Sequence, residues 1–225
     1  MLYVYHGILL VFMVFLVWKT LSRSRRRINL LFSMVFIFIA LGLLLNMIYG
    51  LIAHGPTVLI LNFLTNYFIA LAPIYLVLFN FNLIKKRVAS QNILQLTLFF
   101  TYALLLFGKI TLFISNGVRI DETTNWFPEW TFEYLIYVLS IKTIFTTIPF
   151  ILTSIKLYLI FEHKVLRKRW ISFVIGAIGL ILYMDFNFSN NFTSHPIVII
   201  GLYLSIIGII PSITLIYYGV GKQLN

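Results

Sequence analysis

Apolar residues run along this chain in long blocks, separated by short polar gaps. A helix crossing the hydrocarbon core of a bilayer needs about 20 predominantly apolar residues. Seven blocks reach or approach that length: Leu2–Leu21, Ile28–Ile52, Thr57–Ile84, Ile93–Ser115, Phe132–Phe161, Trp170–Phe186 and Pro196–Tyr218. The pattern predicts an all-α membrane protein, a seven-transmembrane-helix bundle forming one domain over residues 1–225. Tight turns are expected at His54-Gly55-Pro56 and before Pro196, where proline opens a helix without losing a needed donor. One long loop remains, Asn116 to Thr131, and any cap on its face of the bundle would come from it.

Charge then orients the bundle. Lys19 with Arg23, Arg25, Arg26 and Arg27, then Lys85, Lys86 and Arg87, then Lys164, Arg167, Lys168 and Arg169, and finally Lys222 follow the first, third, fifth and seventh blocks. Short loops rich in Lys and Arg stay cytoplasmic, which predicts an outer N-terminus and an inner C-terminus. Asp121, Glu122, Glu129, Glu133 and Asp185 fall at the outer ends, and Glu162 falls at an inner one. Trp18 and Trp170 sit at the inner interface and Trp126 and Trp130 at the outer one, where amphipathic rings prefer to lie.

Composition agrees. The chain is 61% hydrophobic and 10% charged, with a mean hydropathy of +1.00, far too apolar for a soluble domain. The net charge of +11 would suggest nucleic acid in a soluble protein. Here it marks membrane faces, so no nucleic-acid partner is expected, and anionic lipid is the default partner of the basic loops. Without cysteine there is no disulfide or thiolate chemistry. The N-terminal block has its charge after it rather than before it, the reverse of a signal peptide, and reads as a retained helix. A multi-pass protein of the plasma membrane is the expected location.

Polar residues inside the bilayer are expensive and therefore point to sites. Asn46, Asn62, Asn66, Lys109 and Lys142 come from four helices, yet all lie roughly 5 to 15 Å below the outer surface at 1.5 Å rise per residue. Tyr5, His6, His54, Asp185 and His195 ring the mouth above them. Two readings compete: an outward-open pocket in which both lysines face an anionic or carbonyl-bearing ligand, or interhelical amide packing with outward-reaching lysines. The histidines with Asp185 raise a zinc site, but there is no His-x-x-x-His pair and no carboxylate within the core. No metal, cofactor or catalytic residue is expected.

Pro73, Pro149 and Pro211 form a layer in the inner half of the third, fifth and seventh helices. Each removes a backbone hydrogen bond, so the layer is either a hinge transmitting ligand occupancy to the inner ends or a set of static kinks. The sequons Asn187-Phe188-Ser189 and Asn191-Phe192-Thr193 lie in the last outer loop. Gly176 and Gly179 allow close helix contact in the sixth helix.

The third block, Leu64-Thr65-Asn66-Tyr67-Phe68-Ile69-Ala70-Leu71-Ala72-Pro73-Ile74-Tyr75-Leu76-Val77-Leu78-Phe79, resembles the N-terminal seven-helix sensor region of prokaryotic histidine kinases. Lys168-Arg169-Trp170 and Tyr217-Tyr218-Gly219-Val220-Gly221-Lys222 look similar too. The resemblance implies a receptor or sensor that binds a small molecule or lipid from the outer side. With no His-box or ATP-binding domain after Gly219, output would pass to a separate cytoplasmic signalling partner at the basic loops, unless the chain is truncated. A small-solute transporter of SWEET-like size and a structural subunit of a membrane complex are the alternatives. Rhodopsin-like, G-protein-coupled-receptor and sugar-transporter signatures do not fit the residues present.

Overall fold

A computed structural model describes residues 2–52, 54–84 and 89–220. The basic group Lys85, Lys86 and Arg87, along with Lys222, therefore lies outside the described residues. Nine α-helical segments are found among those described: α1 Leu2–Leu21, α2 Arg27–Tyr49, α3 Gly55–Leu71, α4 Ile74–Ile84, α5 Ala89–Phe113, α6 Phe132–Lys142, α7 Ile148–Ile160, α8 Lys164–Asn190 and α9 Pro196–Gly219. Among the described residues, six stretches are long and apolar enough to cross a membrane: Arg27–Tyr49, Gly55–Ile84, Asn92–Phe113, Phe132–Ile160, Lys164–Asn190 and Pro196–Gly219. Tyr5–Leu21 is a shorter apolar helix. The result is a helical bundle of the integral-membrane type.

The departures from the expected boundaries have physical causes. Apolar length delimits the hydrocarbon core, whereas backbone hydrogen bonding delimits the helix. So α8 begins at Lys164 and runs to Asn190, well beyond Trp170–Phe186 at both ends. The third block is two helices because Pro73 cannot donate to the turn before it; α3 closes at Leu71 and α4 opens at Ile74. The fifth block is also divided, by a π-helical turn at Thr143–Thr147 just before Pro149. Pro211, by contrast, sits inside an uninterrupted α9. The long loop is not wholly irregular, since Val118–Arg119 and Glu129–Trp130 pair as a short antiparallel ribbon, β1 and β2.

The Gly55–Ile84 stretch is the axis of the bundle, with 67% of its most apolar window buried, against 11% for α9. Around it, α2 packs against α3 and α4, and α4 packs against α7. α8 and α9 form the closest pair, and α9 reaches α1 where Tyr5 donates to the Ile206 carbonyl at 3.4 Å. Small residues make the tight approaches. Gly42 lies on Thr65 and Ile69, while Gly176 and Gly179 both face Ser212 of α9. Ile197, Ile200, Tyr203, Leu204 and Ile207 of α9 stay exposed, as expected of a surface that meets lipid rather than water.

Two ends of the bundle differ in chemistry. One carries the ribbon and the acids of its loop. At the other, Arg27 donates to Asn92 at 2.7 Å and to Gln95 at 3.0 Å, and Asn82 donates to the same Gln95 oxygen at 3.0 Å. That network ties α2, α4 and α5 together at the basic end.

Candidate functional site: an asparagine-lined cavity under a loop

At the acidic end a cavity of about 450 Å³ opens between α1, α2, α3, α8 and α9. Seven asparagines line it: Asn46, Asn62, Asn66, Asn125, Asn187, Asn190 and Asn191. His6, Tyr49, Tyr183 and Trp126 complete its polar and aromatic wall. The floor comes from α3. Asn66 and Asn62 stand one helical turn apart and so share a face; Asn66 Nδ2 donates to the backbone and side-chain oxygens of Asn62 at 2.9 and 3.0 Å. Asn62 Nδ2 in turn donates to the Tyr49 hydroxyl at 3.3 Å. Both asparagines are almost fully buried, at 1% and 3% exposure.

Pinned in this way, the α3 amides shape the floor, while His6, Asn46, Asn187 and Asn190 of the wall remain available. Buried Nδ1 of His6 makes no hydrogen bond among the described residues, and buried polar groups rarely stay unmatched. Asn46, Asn187 and Asn190 likewise show no side-chain partner among them. Each primary amide offers two donors and an acceptor without net charge. The lining contains no Lys, Arg, Asp or Glu. Such a wall suits an uncharged ligand rich in hydroxyl or amide groups.

The roof is the loop after α5. Asn125 to Pro128 close over the cavity, with Asn125 and Trp126 both at positive φ, 51° and 62°. For Asn that conformation is tolerated; for Trp it is strained and persists only where surroundings enforce it. The enforcement is visible. Trp126 N–H donates to the Asp121 carbonyl at 3.1 Å and Phe127 N–H to Thr124 at 3.0 Å. The Asp121 carboxylate accepts from Thr123 N–H at 2.8 Å and Thr124 N–H at 3.1 Å, and pairs with Arg119 at 2.7 Å. Bonds from Thr123 and then Arg119 pull the Asp121 carboxyl down to about 2. Trp130 N–H anchors the ribbon to the Asn191 carbonyl at 2.7 Å, and its ring stacks on Phe188.

Of the residues singled out from sequence, Asn46, Asn62 and Asn66 come together on this cavity. Lys109 and Lys142 do not line it. Lys142 is fully buried with its Nζ 2.5 Å from Asp185 Oδ1, and the Asp185 side chain is 32% exposed. Lys109 is fully buried and has no hydrogen-bond partner among the described residues. Asp185 thus belongs to Lys142 rather than to the cavity mouth. His54 bonds Thr57 at 2.8 Å, and His195 accepts from Ile197 N–H at the start of α9. Neither histidine joins His6.

The cavity also contains residues that sequence reasoning assigned elsewhere. Asn187 and Asn191 were visible as sequon asparagines, yet α8 continues through Asn190 and brings them to the wall. The density of asparagine between Asn187 and Asn191 was the available signal. Beneath the cavity, two further features surround the proline layer. Tyr102 donates to the Ala70 carbonyl at 2.5 Å, close to the break before Pro73, where ladder donors are missing. Thr146 donates to the Lys142 carbonyl at 2.6 Å, inside the π turn.

Comparison with known proteins adds no relative: no family model, no curated protein and no solved structure matches the chain.

Proposed function

We propose that this chain is a non-enzymatic seven-helix receptor or sensor of the plasma membrane, with its N-terminus outside and its C-terminus inside. α1 is its first span. A small uncharged, hydrogen-bonding ligand enters from the outer side and is held by His6, Asn46 and the α8 asparagines, above the floor made by Asn62 and Asn66 and under the Asn125–Pro128 roof. The single observation that carries this reading is the charge-free asparagine wall, built from distant parts of the chain and closed by a strained loop. Pro73 and Pro149 adjoin the two helix irregularities below the cavity, and with Pro211 they form the proposed hinge layer. Movement there would reach a cytoplasmic signalling partner through the basic loops.

A second reading is favoured by one specific feature. Helices with local irregularities at a substrate or ion site are a pattern of secondary transporters, and the Lys142–Asp185 pair lies beside the π turn between α6 and α7. One pair of measurements separates the two readings. Thermal shifts of the purified protein are recorded against neutral mono- and disaccharides, small amides and short peptides, and any compound that shifts it is tested for uptake into proteoliposomes. The receptor reading expects a shift that disappears in the Asn62→Leu, Asn66→Leu variant, without uptake. Accumulation inside the vesicles would overturn it in favour of transport.

A further inference from the structure

A second concavity lies at the opposite end, on the outside of the bundle. It is a trough of about 370 Å³ between α7 and α8. Ile151 and Ile155 form one wall and Ile171, Val174, Ile175 and Ile178 the other. Ser154 and Trp170 lie at its base, where Trp170 Nε1 donates to the Ser154 carbonyl at 2.9 Å. The polar atoms there are thus already satisfied, and the two facing walls are aliphatic.

Its length argues for an occupant. From Ile151 to Tyr158 and from Trp170 to Ile178 the lining covers roughly 10 to 12 Å at 1.5 Å per residue. That is most of one leaflet's share of a hydrocarbon core about 30 Å thick. A partner helix would seek a complementary surface across the whole core; an acyl chain needs one leaflet.

The mouth of the trough is positively charged and ordered. Tyr158 ends the lining, and the Arg167 guanidinium stands 5.5 Å from its ring centroid. Arg167 Nε donates to the Phe161 carbonyl at 2.5 Å, closing α7. Its two Nη groups make no bond among the described residues. An arginine held in this way loses little freedom when it takes a phosphate bidentately. Lys164, Lys168 and Arg169 are exposed on the same turns, with Glu162 the one acid of the segment. The first turn of α8 receives no side-chain cap from His163, so its free amides add to the attraction for an anion.

We propose that this trough binds one anionic phospholipid from the leaflet at the basic end, the acyl chain lying between α7 and α8 and the phosphate resting on Arg167. The site is separate from the asparagine cavity and would stand if the receptor reading failed.

The test uses the full chain in nanodiscs of equal phosphatidylglycerol and phosphatidylcholine, with lipid retention read by native mass spectrometry. The wild type is expected to keep one phosphatidylglycerol in preference to phosphatidylcholine. Arg167→Gln should reduce that retention about fivefold, the effect of one interfacial cation, whereas Arg25→Gln, an exposed arginine elsewhere at this end, should not. Ile171→Trp with Ile175→Trp fills the trough and should abolish retention. Both positions face lipid, so the thermal stability of this variant should match the wild type. Equal retention of the two lipids, or wild-type retention in both the Arg167 and the tryptophan variants, overturns the proposal. So does a dimer that the tryptophan variant dissociates at unchanged phosphatidylglycerol retention, which would assign the trough to a second copy of the chain.

Discussion

The ammonium of Lys142 on α6 lies 2.5 Å from a carboxylate oxygen of Asp185 on α8, and the two ends of this pair differ in exposure: Lys142 is fully buried, while the Asp185 side chain is 32% exposed. Burying charge is costly unless it is paired, and removing one member of a buried pair leaves the other uncompensated. The asymmetry gives an order. Asp185→Leu strands a fully buried cation and should destabilise the fold by about 3 kcal/mol. Lys142→Met leaves a carboxyl that still reaches the surface and should cost clearly less. Lys142→Met combined with Asp185→Leu should recover most of the larger loss, because both desolvation costs disappear together. Thermal unfolding in one detergent, run on all four proteins, checks this. Single variants of equal stability would show that the pair is not what holds the lysine.

A second polar centre joins the lower half of the bundle. Asn80 on α4 is fully buried. Its Nδ2 donates to Thr153 Oγ1 and Ser154 Oγ on α7, both at 2.9 Å, just beside the bond from Trp170 to the Ser154 carbonyl. Asn80→Ala should cost about 1 to 3 kcal/mol, since it removes these bonds and opens a void. The pairwise coupling of Asn80 with Ser154 should be only about 0.6 kcal/mol, the average for such bonds within membranes. A double-mutant cycle with Ser154→Ala measures it. A coupling near zero would show that the bond to Ser154 is not what makes Asn80 matter, leaving Thr153 and packing.

How far the sequence speaks can be judged from these residues. Six of the expected spans were legible, because hydrocarbon thickness sets the length of an apolar block. Asn46, Asn62 and Asn66 were legible as a group because one rise per residue gives all three a similar depth. Depth does not report azimuth, however. Lys109 and Lys142 share that depth yet do not line the cavity, and only the fold brings Asp185 to Lys142. The same limit hid Asn80, an amide in an apolar helix whose partners lie on α7. Helix ends were the least legible feature. Lys164 to Arg169 is too polar to read as membrane, but it is helical because α8 extends past the hydrocarbon, and that extension at the other end carries Asn187 and Asn190 into the cavity wall.

The seam between α8 and α9 allows a direct test of close packing. A Cβ on Gly176 would stand 2.8 Å from the Ile216 backbone nitrogen and closer still to the Ser212 carbonyl oxygen. Backbone cannot yield as a side chain can, so Gly176→Ala should destabilise by about 1 to 3 kcal/mol, the usual effect of overpacking. Gly208 on α9 has nothing within 4 Å of the same added atom. Gly208→Ala should stay within about 0.5 kcal/mol of the wild type. If the two alanine variants unfold alike, the seam is looser than these distances imply.

Acid should loosen the roof of the cavity. Asp121 is held at about 2 by its bonds to Thr123 and Arg119, below the ordinary carboxylate value. A folded-state value lower than the unfolded one means that the ionised form favours the closed loop. The contribution is complete above the unfolded value near 4 and is lost as pH falls from about 4 to about 2. Amide exchange at Trp126 and Phe127 should therefore rise across that window, beyond the change expected from intrinsic exchange. Asp121→Asn should show fast exchange at all pH values and no such step. Persistence of the step in the Asn variant would point to a different titrating group.

Access to the cavity can be read with a single thiol, since the chain contains no cysteine. Asn187 lines the cavity, so Asn187→Cys should react with a membrane-impermeant maleimide added on the side of the ribbon loop, and not from the opposite side. Arg25→Cys should show the reverse sidedness, which tests the orientation proposed from the basic loops. Phe79→Cys, fully buried on α4, should stay unmodified from both sides. Trp126 is part of the roof, and its replacement by alanine removes a ring held at positive φ. If that change lowers the local opening free energy by about 1.4 kcal/mol, modification of Asn187→Cys should become roughly tenfold faster. An unchanged rate would mean that the cavity fills by a route that does not pass the loop. Labelling of Asn187→Cys and Arg25→Cys from the same side would refute the alternating arrangement of the helices itself.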